Sequence, residues 1–379
     1  MKIVTRLEQL LPDMLRLLEQ SVNMDSPSQD KRLTDKMIDW YEATCRAWLD
    51  AEVIRIPNER YADRLEVYVG SGSSRRVLLV AHADTVWPVG EAERRPFRID
   101  GNHAYGPGVV DMKAGIIQAI FALKVLQEMN RLPADIAFVL LINSDEEIGS
   151  QTSRSWIEQH ARASSAALIL EPPLEPDGAL KTARKGNGRY HLVIEGRSAH
   201  AGVDPASGVS AIEEMARQIL YLHEMSDDKR GVHVNVGVMN GGIGSNVVAA
   251  NAEAFIDIRV QTMDDFEMMA QKMQELAPFH SEIRLSVNGH MNRPPMERTE
   301  AIERLFHIAK TTALEELGLT LHETSTGGVS DGNFIAACGI PTLDGLGARG
   351  DGAHALHEYV RIDEMPKRAA LLAGIMERL

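Results

Sequence analysis

The segment Val77-Leu-Leu-Val-Ala-His82-Ala-Asp84-Thr85 passes from a continuous apolar run to polar residues within a few positions. Its apolar half has the length and composition of a buried β-strand. Alternation along a strand directs His82 and Asp84 to the same side, so Asp84 can hold the imidazole ring. A capped turn is the other interpretation of this pair. Because open α/β sheets carry their functional groups at strand ends, the segment predicts an α/β fold with a candidate site here.

Strands and helices alternate on both sides of this segment. The apolar patterns predict strands at 51–56, 65–70, 77–82, 136–142 and 167–170, and helices at 6–22, 29–49 and 113–130. Such alternation predicts an α/β fold, with a central mixed or parallel sheet that helices cover on both faces.

The pattern changes after Lys185. Strands are predicted at 189–195, 233–239, 254–260 and 283–287, with helices at 209–223 and 264–276. These elements indicate a smaller α+β unit of the ferredoxin-like kind. A helix that continues to 317, a strand at 319–323 and a helix at 363–379 then resemble the first region. We therefore expect a catalytic domain in two parts, residues 1–184 and 297–379, interrupted by a domain at residues 185–296.

Composition excludes several classes of protein. The 379 residues include 40 Lys and Arg against 54 Asp and Glu, and the net charge of −14 argues against a nucleic-acid partner. Glu8 and Asp13 interrupt the N-terminal apolar periodicity, so we expect a cytoplasmic protein without a signal peptide or membrane attachment. Cys45 and Cys338 are too few for a disulfide framework. A small molecule or short peptide is the expected partner.

Carboxylates follow several predicted strands and loops. Asp111 lies in a glycine-punctuated loop that opens a helix, Asp145, Glu146 and Glu147 follow an apolar strand, and Glu171 ends another. Each has an ordinary interpretation by itself, such as a helix N-cap or a solvated acidic turn. Gathered in one partly buried cleft, however, these acids would repel each other.

Two divalent cations would remove that repulsion. Two Zn²⁺ ions bring four positive charges, which three ligand carboxylates and one hydroxide balance, and neutral histidines complete each coordination shell. His82 is one candidate ligand. The segment Gly352-Ala-His354-Ala-Leu-His357-Glu358 supplies two more, His354 and His357. The pattern therefore predicts a binuclear metal site.

In chain order, these segments resemble the dizinc aminoacylase/carboxypeptidase family, which includes acetylornithine deacetylase, succinyl-diaminopimelate desuccinylase and, as the nearest likeness, bacterial glutamate carboxypeptidase. The shared motifs are His82-Ala-Asp-Thr-Val, Pro96-Phe-Arg with Ala104-Tyr-Gly-Pro-Gly, Asp145-Glu-Glu-x-Gly-Ser, Ser198-Ala-His-Ala-Gly, Asp257-Ile-Arg, Thr326-Gly-Gly-x-x-Asp and His354-x-x-x-Glu-Tyr-Val.

The resemblance implies a ligand set for two Zn²⁺ ions, with Co²⁺ or Mn²⁺ as possible substitutes. Asp111 bridges both ions, His82 and Glu171 bind one, and Glu147 and His354 bind the other. His354 is preferred over His357 because the family's ligand stands four or five residues before the glutamate of Glu358-Tyr-Val. A cis peptide bond is expected between Asp111 and Met112.

The resemblance also implies catalytic roles and a partner. Glu146 is the general base that carries a proton from water to the leaving amine, and Asp84 supports His82. The inserted domain forms a homodimer, so that His200 reaches the partner's active site and stabilises the oxyanion. Asn246 is its expected companion.

The implied reaction is hydrolysis of an amide or peptide bond to a C-terminal amino acid, with glutamate as the leading expectation. Arg259 would bind the free α-carboxylate. Lys181 and Arg293 lie near positions that select an acidic side chain, and backbone N–H groups around Gly327 and Gly328 could help. Val329 stands where the glutamate-specific pattern has a third glycine. An N-acyl-amino-acid deacylase of different side-chain specificity is therefore the alternative.

Two other functions can be compared with this one. Gly328-Val-Ser330-Asp-Gly332 matches the nucleophile-elbow pattern of serine hydrolases. An elbow requires a buried strand directly before it, however, and Thr324-Ser-Thr-Gly-Gly is polar. A non-catalytic binding relative is the second possibility, which the presence of all five predicted ligands, Glu146 and His200 disfavours.

Overall fold

A computed structural model describes residues 2–70 and 75–379 and divides the chain into two compact units. The first contains Met1–Thr182, Arg298–Ser325 and Ser330–Leu379; the second contains Ala183–Glu297 and Thr326–Val329. The short segment Thr326–Val329, expected in the catalytic domain, belongs to the second unit because its carbonyl groups accept hydrogen bonds there. Thr326 accepts from the backbone N–H of Lys185 (3.0 Å).

The elements follow in three groups. Residues before the insertion form α1 (Ile3–Val22), α2 (Lys31–Trp48), β1 (Glu52–Ile56), β2 (Arg64–Val69), β3 (Arg75–His82), α3 (Glu91–Arg94), β4 (Arg98–Asp100), β5 (His103–Tyr105), α4 (Ala114–Glu128), β6 (Ile136–Asn143), α5 (Arg154–Arg162), β7 (Ala166–Ile169) and β8 (Leu180–Arg184). The insertion forms β9 (Gly186–Glu195), α6 (Ala211–Glu224), β10 (His233–Gly241), β11 (Asn251–Val260), α7 (Met263–Gln274) and β12 (Arg284–Arg293). The remainder forms α8 (Glu300–Thr312), β13 (Glu323–Thr326), α9 (Gly332–Ala337), β14 (Thr342–Leu343), β15 (Gly350–Asp351), β16 (Tyr359–Arg361) and α10 (Met365–Arg378).

The first unit is built on a mixed six-stranded sheet in the order β1-β2-β6-β3-β7-β14. Strands β6, β3, β7 and β14 are parallel, whereas β1 and β2 are antiparallel to their neighbours. Alternate residues of β3 enter two separate cores: Val77 and Leu79 pack on the side of α1, α4 and α10, and Leu78 and Val80 on the side of α5 and α9. Burial on both faces confirms the predicted α/β class with a helix-covered central sheet.

The second unit has the element order β-α-β-β-α-β, which is ferredoxin-like. Its antiparallel sheet runs β10-β11-β9-β12, so β10 is an edge strand. The core contains Leu192 and Ile256 from the sheet, Met215 from α6 and Met269 from α7.

Short elements differ most from the sequence-based expectations. The predicted strand at 319–323 is wrong, because Gly318 ends the preceding helix in a left-handed conformation (φ 67°) and β13 begins only at Glu323. The small sheet β15-β16-β5-β4 and the pair β13-β8 were not expected. Throughout the described residues, no helix is both long enough and apolar enough to cross a bilayer.

Candidate active site

Three parallel strands bring three of the five predicted ligands to one edge of the sheet. Strand β3 pairs with β6 on one side and with β7 on the other, and its last residue, His82, pairs with Asn143. The acidic segment that contains Glu146 and Glu147 follows β6, and Glu171 follows β7. Because these strands run in the same direction, their carboxyl ends meet at the same edge.

His82 is buried and its two ring nitrogens face different groups. Nδ1 lies 2.9 Å from the carbonyl oxygen of Asp84 and 3.5 Å from its Oδ1. Nε2 lies 3.2 Å from Asp111 Oδ1 and 3.6 Å from Glu171 Oε1. Burial by itself would lower the pKa of His82, but hydrogen bonds to these acids raise it well above the ordinary value. If a cation replaces the proton on Nε2, donation from Nδ1 to the Asp84 carbonyl oxygen would leave the Nε2 lone pair available to that cation.

Asp84 is fully buried and links two strand ends. It accepts hydrogen bonds from Ser28 Oγ (2.6 Å) and from the backbone N–H groups of Glu146 and Glu147 (3.2 Å each). Asp84 therefore orients His82 through its carbonyl oxygen, and its carboxylate fixes the backbone that carries the two glutamates.

Asp111 lies between two histidines. Its Oδ1 is 3.2 Å from His82 Nε2, and its Oδ2 is 3.3 Å from His354 Nε2. His354 Nε2 is also 3.1 Å from Glu147 Oε2. The peptide bond between Asp111 and Met112 is cis, as the resemblance implied. Each carboxylate oxygen of Asp111 thus faces a different half of the predicted ligand set.

His354 lies in the loop between β15 and β16, with a left-handed backbone (φ 62°). That conformation is uncommon for a residue with a side chain. The alternative candidate, His357, lies against Gly352 of the same loop. The structure therefore brings His354, rather than His357, to Asp111 and Glu147.

Two glutamates at this edge of the sheet have raised pKa values, because they are buried and their negative charges would lie close to that of Asp111. Burial and the charge of Asp111 raise the pKa of Glu147 to about 8, and the same two causes raise the pKa of Glu171. Glu147 Oε1 is buried without a hydrogen-bond partner among the described residues. A buried acceptor with no donor is costly unless a cation occupies the space beside it.

Distances between these groups suit shared cations. Two ligands about 2.1 Å from one tetrahedral ion lie about 3.4 Å apart. The four separations above between a histidine Nε2 and a carboxylate oxygen are 3.1, 3.2, 3.3 and 3.6 Å. Ligand atoms of His82, Asp111 and Glu147 all lie within 4.8 Å of one another, as do those of His82, Glu146 and Glu171. The residues therefore fit a pair of divalent ions.

Glu358 is a site residue whose role sequence analysis missed. Its buried carboxylate accepts four hydrogen bonds, from the backbone N–H groups of Gly108 (2.8 Å), Val110 (2.9 Å) and Asp111 (3.2 Å) and from Trp87 Nε1 (3.0 Å). It thereby holds the loop that presents Asp111. The sequence analysis used Glu358 only to choose between His354 and His357. Its position four residues after His354 was the one sequence feature that could have indicated a role in the site.

Two other predicted positions have structural contacts. Asp145 accepts hydrogen bonds from Thr152 N (2.7 Å), Thr152 Oγ1 (2.8 Å) and Ser153 Oγ, so it stabilises the turn before α5. Ser330, the nucleophile of the serine-hydrolase alternative, is buried and donates to Asp344 Oδ2 (2.6 Å). Residues 327–329 separate it from β13, so the strand-to-nucleophile turn of an elbow is not formed.

A sequence model of peptidase family M20/M25/M40 matches residues 78–378. The chain belongs to this family. It is an M20 hydrolase of the carboxypeptidase or aminoacylase type.

Individual M20 relatives cover most of the chain. Carboxypeptidase G2 from Pseudomonas sp. (strain RS-16) is 28% identical over 96% of this chain and 89% of its own length. Succinyl-diaminopimelate desuccinylase from Thioalkalivibrio sulfidiphilus is 26% identical, over 84% and 88%. The solved structure of the Bacillus subtilis protein YXEP, titled a dinuclear metal binding peptidase, has a TM-score of 0.72 at 14% identity and covers 98% of both chains.

The second unit of this M20 protein carries His200 and Asn246. His200 is exposed, and its Nδ1 accepts hydrogen bonds from the backbone N–H groups of Gly202 and Val203 (3.1 Å each). Because Nδ1 accepts, the ring proton of neutral His200 lies on Nε2. Asn246 is brought beside this histidine, since its carbonyl oxygen accepts the backbone N–H of Ala201 (3.0 Å).

Arg259 is paired within the second unit. Asp257 accepts from its Nε (2.7 Å) and Nη2 (3.1 Å), while Nη1 lies 3.3 Å from the carbonyl oxygen of Gly327. Gly328 likewise presents its carbonyl oxygen to Arg184 Nη1 (3.2 Å). The sequence motif Asp257-Ile-Arg did not reveal that Asp257 pairs with Arg259, although a spacing of two residues on one strand puts both side chains on one face.

Lys181 and Arg293 are both buried, but they belong to different units. Lys181 Nζ donates to the carbonyl oxygen of Pro172 (2.7 Å). The backbone N–H of Arg293 donates to Asn187 Oδ1 (3.2 Å). Their selection of an acidic side chain stays a prediction.

Proposed function

We propose that this protein is a dizinc hydrolase that releases a C-terminal amino acid, glutamate first among them, from an N-acyl amino acid or a short peptide. The observation that supports it most directly is the position of Asp111, whose two oxygens face His82 and His354 at 3.2 and 3.3 Å. Under this proposal His82 and Glu171 hold one ion, Glu147 and His354 the other, and Asp111 both.

The metal pair would supply Lewis-acid activation of water and of the scissile carbonyl group. Nitrogen and carboxylate ligands suit Zn²⁺, and they also accept Co²⁺ or Mn²⁺. Asp84 has a supporting role, because it fixes the His82 tautomer and restricts the turn that presents Glu146 and Glu147.

Glu146 is the proposed general base. Its backbone N–H is fixed by Asp84, and a carboxylate oxygen lies within 4.8 Å of ligand atoms of His82 and Glu171. From that position it would accept a proton from the attacking water and deliver it to the leaving amine.

His200 is the proposed oxyanion donor. Its Nε2–H would donate to the carbonyl oxygen as negative charge develops there, and Asn246 would assist. We propose that it acts across a homodimer formed by the second unit. Exposed apolar side chains support that interface: Val238 and Met239 on edge strand β10, and Leu220 on α6.

Arg259 is the proposed carboxylate clamp. Asp257 accepts hydrogen bonds from Nε and Nη2 of Arg259, and the carbonyl oxygen of Gly327 accepts from Nη1. A substrate carboxylate would replace that carbonyl oxygen as the acceptor from Nη1. Backbone groups of Gly327 and Gly328 border this position, and Lys181 and Arg293 are the proposed selectors of an acidic side chain. The alternative of a deacylase with other specificity is favoured by Val329 and by the likeness to a desuccinylase.

Hydrolysis of a panel of N-acyl derivatives of Glu, Asp, Ala, Leu, Arg and ornithine tests the proposal. Activity should vanish with a chelator, return with Zn²⁺ and be highest for glutamate. A faster rate for another amino acid would favour the alternative deacylase. A zinc-loaded protein inert towards the whole panel would refute both and support a binding function.

A further inference from the structure

Asp331, the last residue of the motif Thr326-Gly-Gly-x-x-Asp, has no role in the reaction described above. It stands at the N-cap position of α9, but its side chain makes no capping hydrogen bond there. An aspartate at this position ordinarily accepts from the first turn of its own helix. The buried carboxylate of Asp331 accepts instead from two side chains of another segment: Asn143 Nδ2 donates to its Oδ2, and Ser150 Oγ donates to its Oδ1.

Asn143 and Ser150 are the two ends of the segment that carries Glu146 and Glu147. Asn143 is the last residue of β6, and Ser150 precedes α5 with a left-handed backbone (φ 53°). Both residues are fully buried. One carboxylate therefore holds segment 143–150 at its first and at its last residue.

The same segment is closed by hydrogen bonds of its own. The backbone N–H of Gly149 donates to the carbonyl oxygen of Glu146 (2.8 Å), and that of Ser150 donates to the carbonyl oxygen of Asp145 (2.7 Å). Between the two ends, Asp84 accepts from the backbone N–H groups of the two glutamates. Because the segment is closed in this way, a displacement of either end would move both glutamates.

Asp331 is itself fixed to the central sheet. Its neighbour Ser330 donates through Oγ to Asp344 Oδ2 (2.6 Å), and the backbone N–H of Gly332 donates to Ser330 Oγ (3.1 Å). Asp344 is fully buried and directly follows β14, which pairs with β7. The carboxylate that holds segment 143–150 is therefore attached to a strand of the sheet and not to a surface loop.

We propose that Asp331 is a positioning residue for hydrolysis. By holding both ends of segment 143–150, it places Glu146 to accept the proton from water and Glu147 to bind its cation. The inference rests on the proposed function, which gives these two glutamates their roles. A carboxylate is well suited to this task, because its hydrogen bonds are roughly twice as strong as those between neutral groups. Since Asp331 acts through the glutamates and not on the substrate, its loss should lower kcat far more than it changes KM.

Two variants remove these contacts to different extents. Asp331→Ala removes both, whereas Ser150→Ala removes one and keeps the Cβ atom that the left-handed backbone already carries. We expect kcat to fall about a hundredfold in Asp331→Ala and about tenfold in Ser150→Ala, with KM within about threefold, since a displacement of about 1 Å can cost a hundredfold in rate. The two constants are measured with the N-acyl amino acid that the unmodified protein hydrolyses fastest.

Two measurements that start from the metal-free protein need no turnover. Hydrogen exchange of the backbone amides of 143–150 should become at least about tenfold faster in Asp331→Ala, because the loss of charged hydrogen bonds allows the segment to open. Titration with Zn²⁺ should show that one of the two ions binds about 10–100-fold more weakly, as expected when a group that orients a ligand is removed.

Asp331→Asn tests whether hydrogen bonding is the cause. Ser150 can still donate to the remaining oxygen. Asn143 Oδ1, which is buried without a hydrogen-bond partner among the described residues, can turn to accept from the new NH₂ group. This conservative variant should therefore keep kcat within about threefold of the unmodified protein.

Glu66→Ala is the control for stability. Glu66 is another buried carboxylate of the first unit, and it accepts from Trp156 Nε1 (2.7 Å), the Tyr68 hydroxyl (2.7 Å) and His160 Nε2 (2.9 Å), all outside segment 143–150. Its removal should lower stability and leave kcat, Zn²⁺ affinity and the exchange of 143–150 unchanged.

Normal kcat in Ser150→Ala and Asp331→Ala overturns the inference, and so does a loss of rate without faster exchange in 143–150 or an equal loss of rate in Glu66→Ala. If Asp331→Ala does not fold, Ser150→Ala decides by the same criteria. Failure of the proposed function looks different: the unmodified protein would hydrolyse none of the N-acyl amino acids, while faster exchange and weaker Zn²⁺ binding in Asp331→Ala would still support the positioning role.

Discussion

Replacement of Glu358 by glutamine tests whether one buried carboxylate holds the Asp111 loop. Oε1 accepts from the N–H groups of Val110 and Asp111, and Oε2 accepts from Gly108 N–H and Trp87 Nε1–H. In Glu358→Gln, one oxygen becomes an NH₂ group, which cannot accept. Two hydrogen bonds are lost and two buried donors face another donor.

The expected cost follows from those contacts. A buried donor left unsatisfied costs about 1–3 kcal/mol, so two of them should lower the free energy of unfolding by about 2–6 kcal/mol. Displacement of Asp111 should also weaken metal binding, by about 10–100-fold for a group that orients a ligand. Urea unfolding of the metal-free protein measures the first effect, and Zn²⁺ titration measures the second.

Glu214→Gln is the matched control. Glu214 is also buried and accepts the backbone N–H groups of Phe279 (2.9 Å) and His280 (3.1 Å) and the Gln218 side chain, but it lies in the second unit. This control should lose stability and keep its Zn²⁺ affinity. If Glu358→Gln binds both ions as tightly as the unmodified protein, Glu358 does not control the position of Asp111.

Four further outcomes are expected. Glu146→Gln should abolish turnover and retain both metals, whereas near-normal turnover would exclude Glu146 as the base. His200→Ala should lower activity with metal content unchanged, and mixed dimers with Glu146→Gln should regain part of it; no regain would indicate that His200 acts within its own subunit. Arg259→Ala should slow free-carboxylate substrates about a hundredfold, as the loss of a charged hydrogen bond implies, and spare carboxylate-blocked analogues; equal losses on both would refute the clamp. Zn²⁺ affinity should rise as pH rises towards 8, and binding near neutral pH should release protons, because burial and the charge of Asp111 raise the pKa of Glu147 and the neighbouring acids raise the pKa of His354, so this pair holds protons that the metal must displace; pH-independent calorimetric affinity would contradict this.

Long elements and strand ends were predictable from the sequence. The residues from Val77 to His82 form a continuous apolar run, which is typical of an internal strand, and the structure buries this run on both faces. The sequence also located the acidic segment 145–147, but strand periodicity could not predict towards which neighbours these three adjacent side chains point. The structure turns Asp145 towards Thr152, whereas Glu147 faces His354.

Contacts between distant segments were not predictable from periodicity. Glu358 and Gly108 are 250 residues apart, and no local pattern records their hydrogen bond. Short strands such as β4 and β5 are too brief to show an alternation, and they form because β16 pairs with β5. The pairing of Asp257 with Arg259 is local, but a strand with alternating polar residues does not reveal which of them form an ion pair.

The order of the site residues along the chain has a consequence for biosynthesis. Four of the proposed ligands emerge from the ribosome before the inserted unit: His82, Asp111, Glu147 and Glu171. His354 and Glu358, which holds the Asp111 loop, emerge more than 50 residues after Glu297, where the main segment of that unit ends. Helix α10, which packs against α1 and α4, follows both of these residues. A nascent chain that stops before His354 therefore lacks part of the proposed ligand set and the helix that closes the core, so the proposed site can form only after the inserted unit has been made.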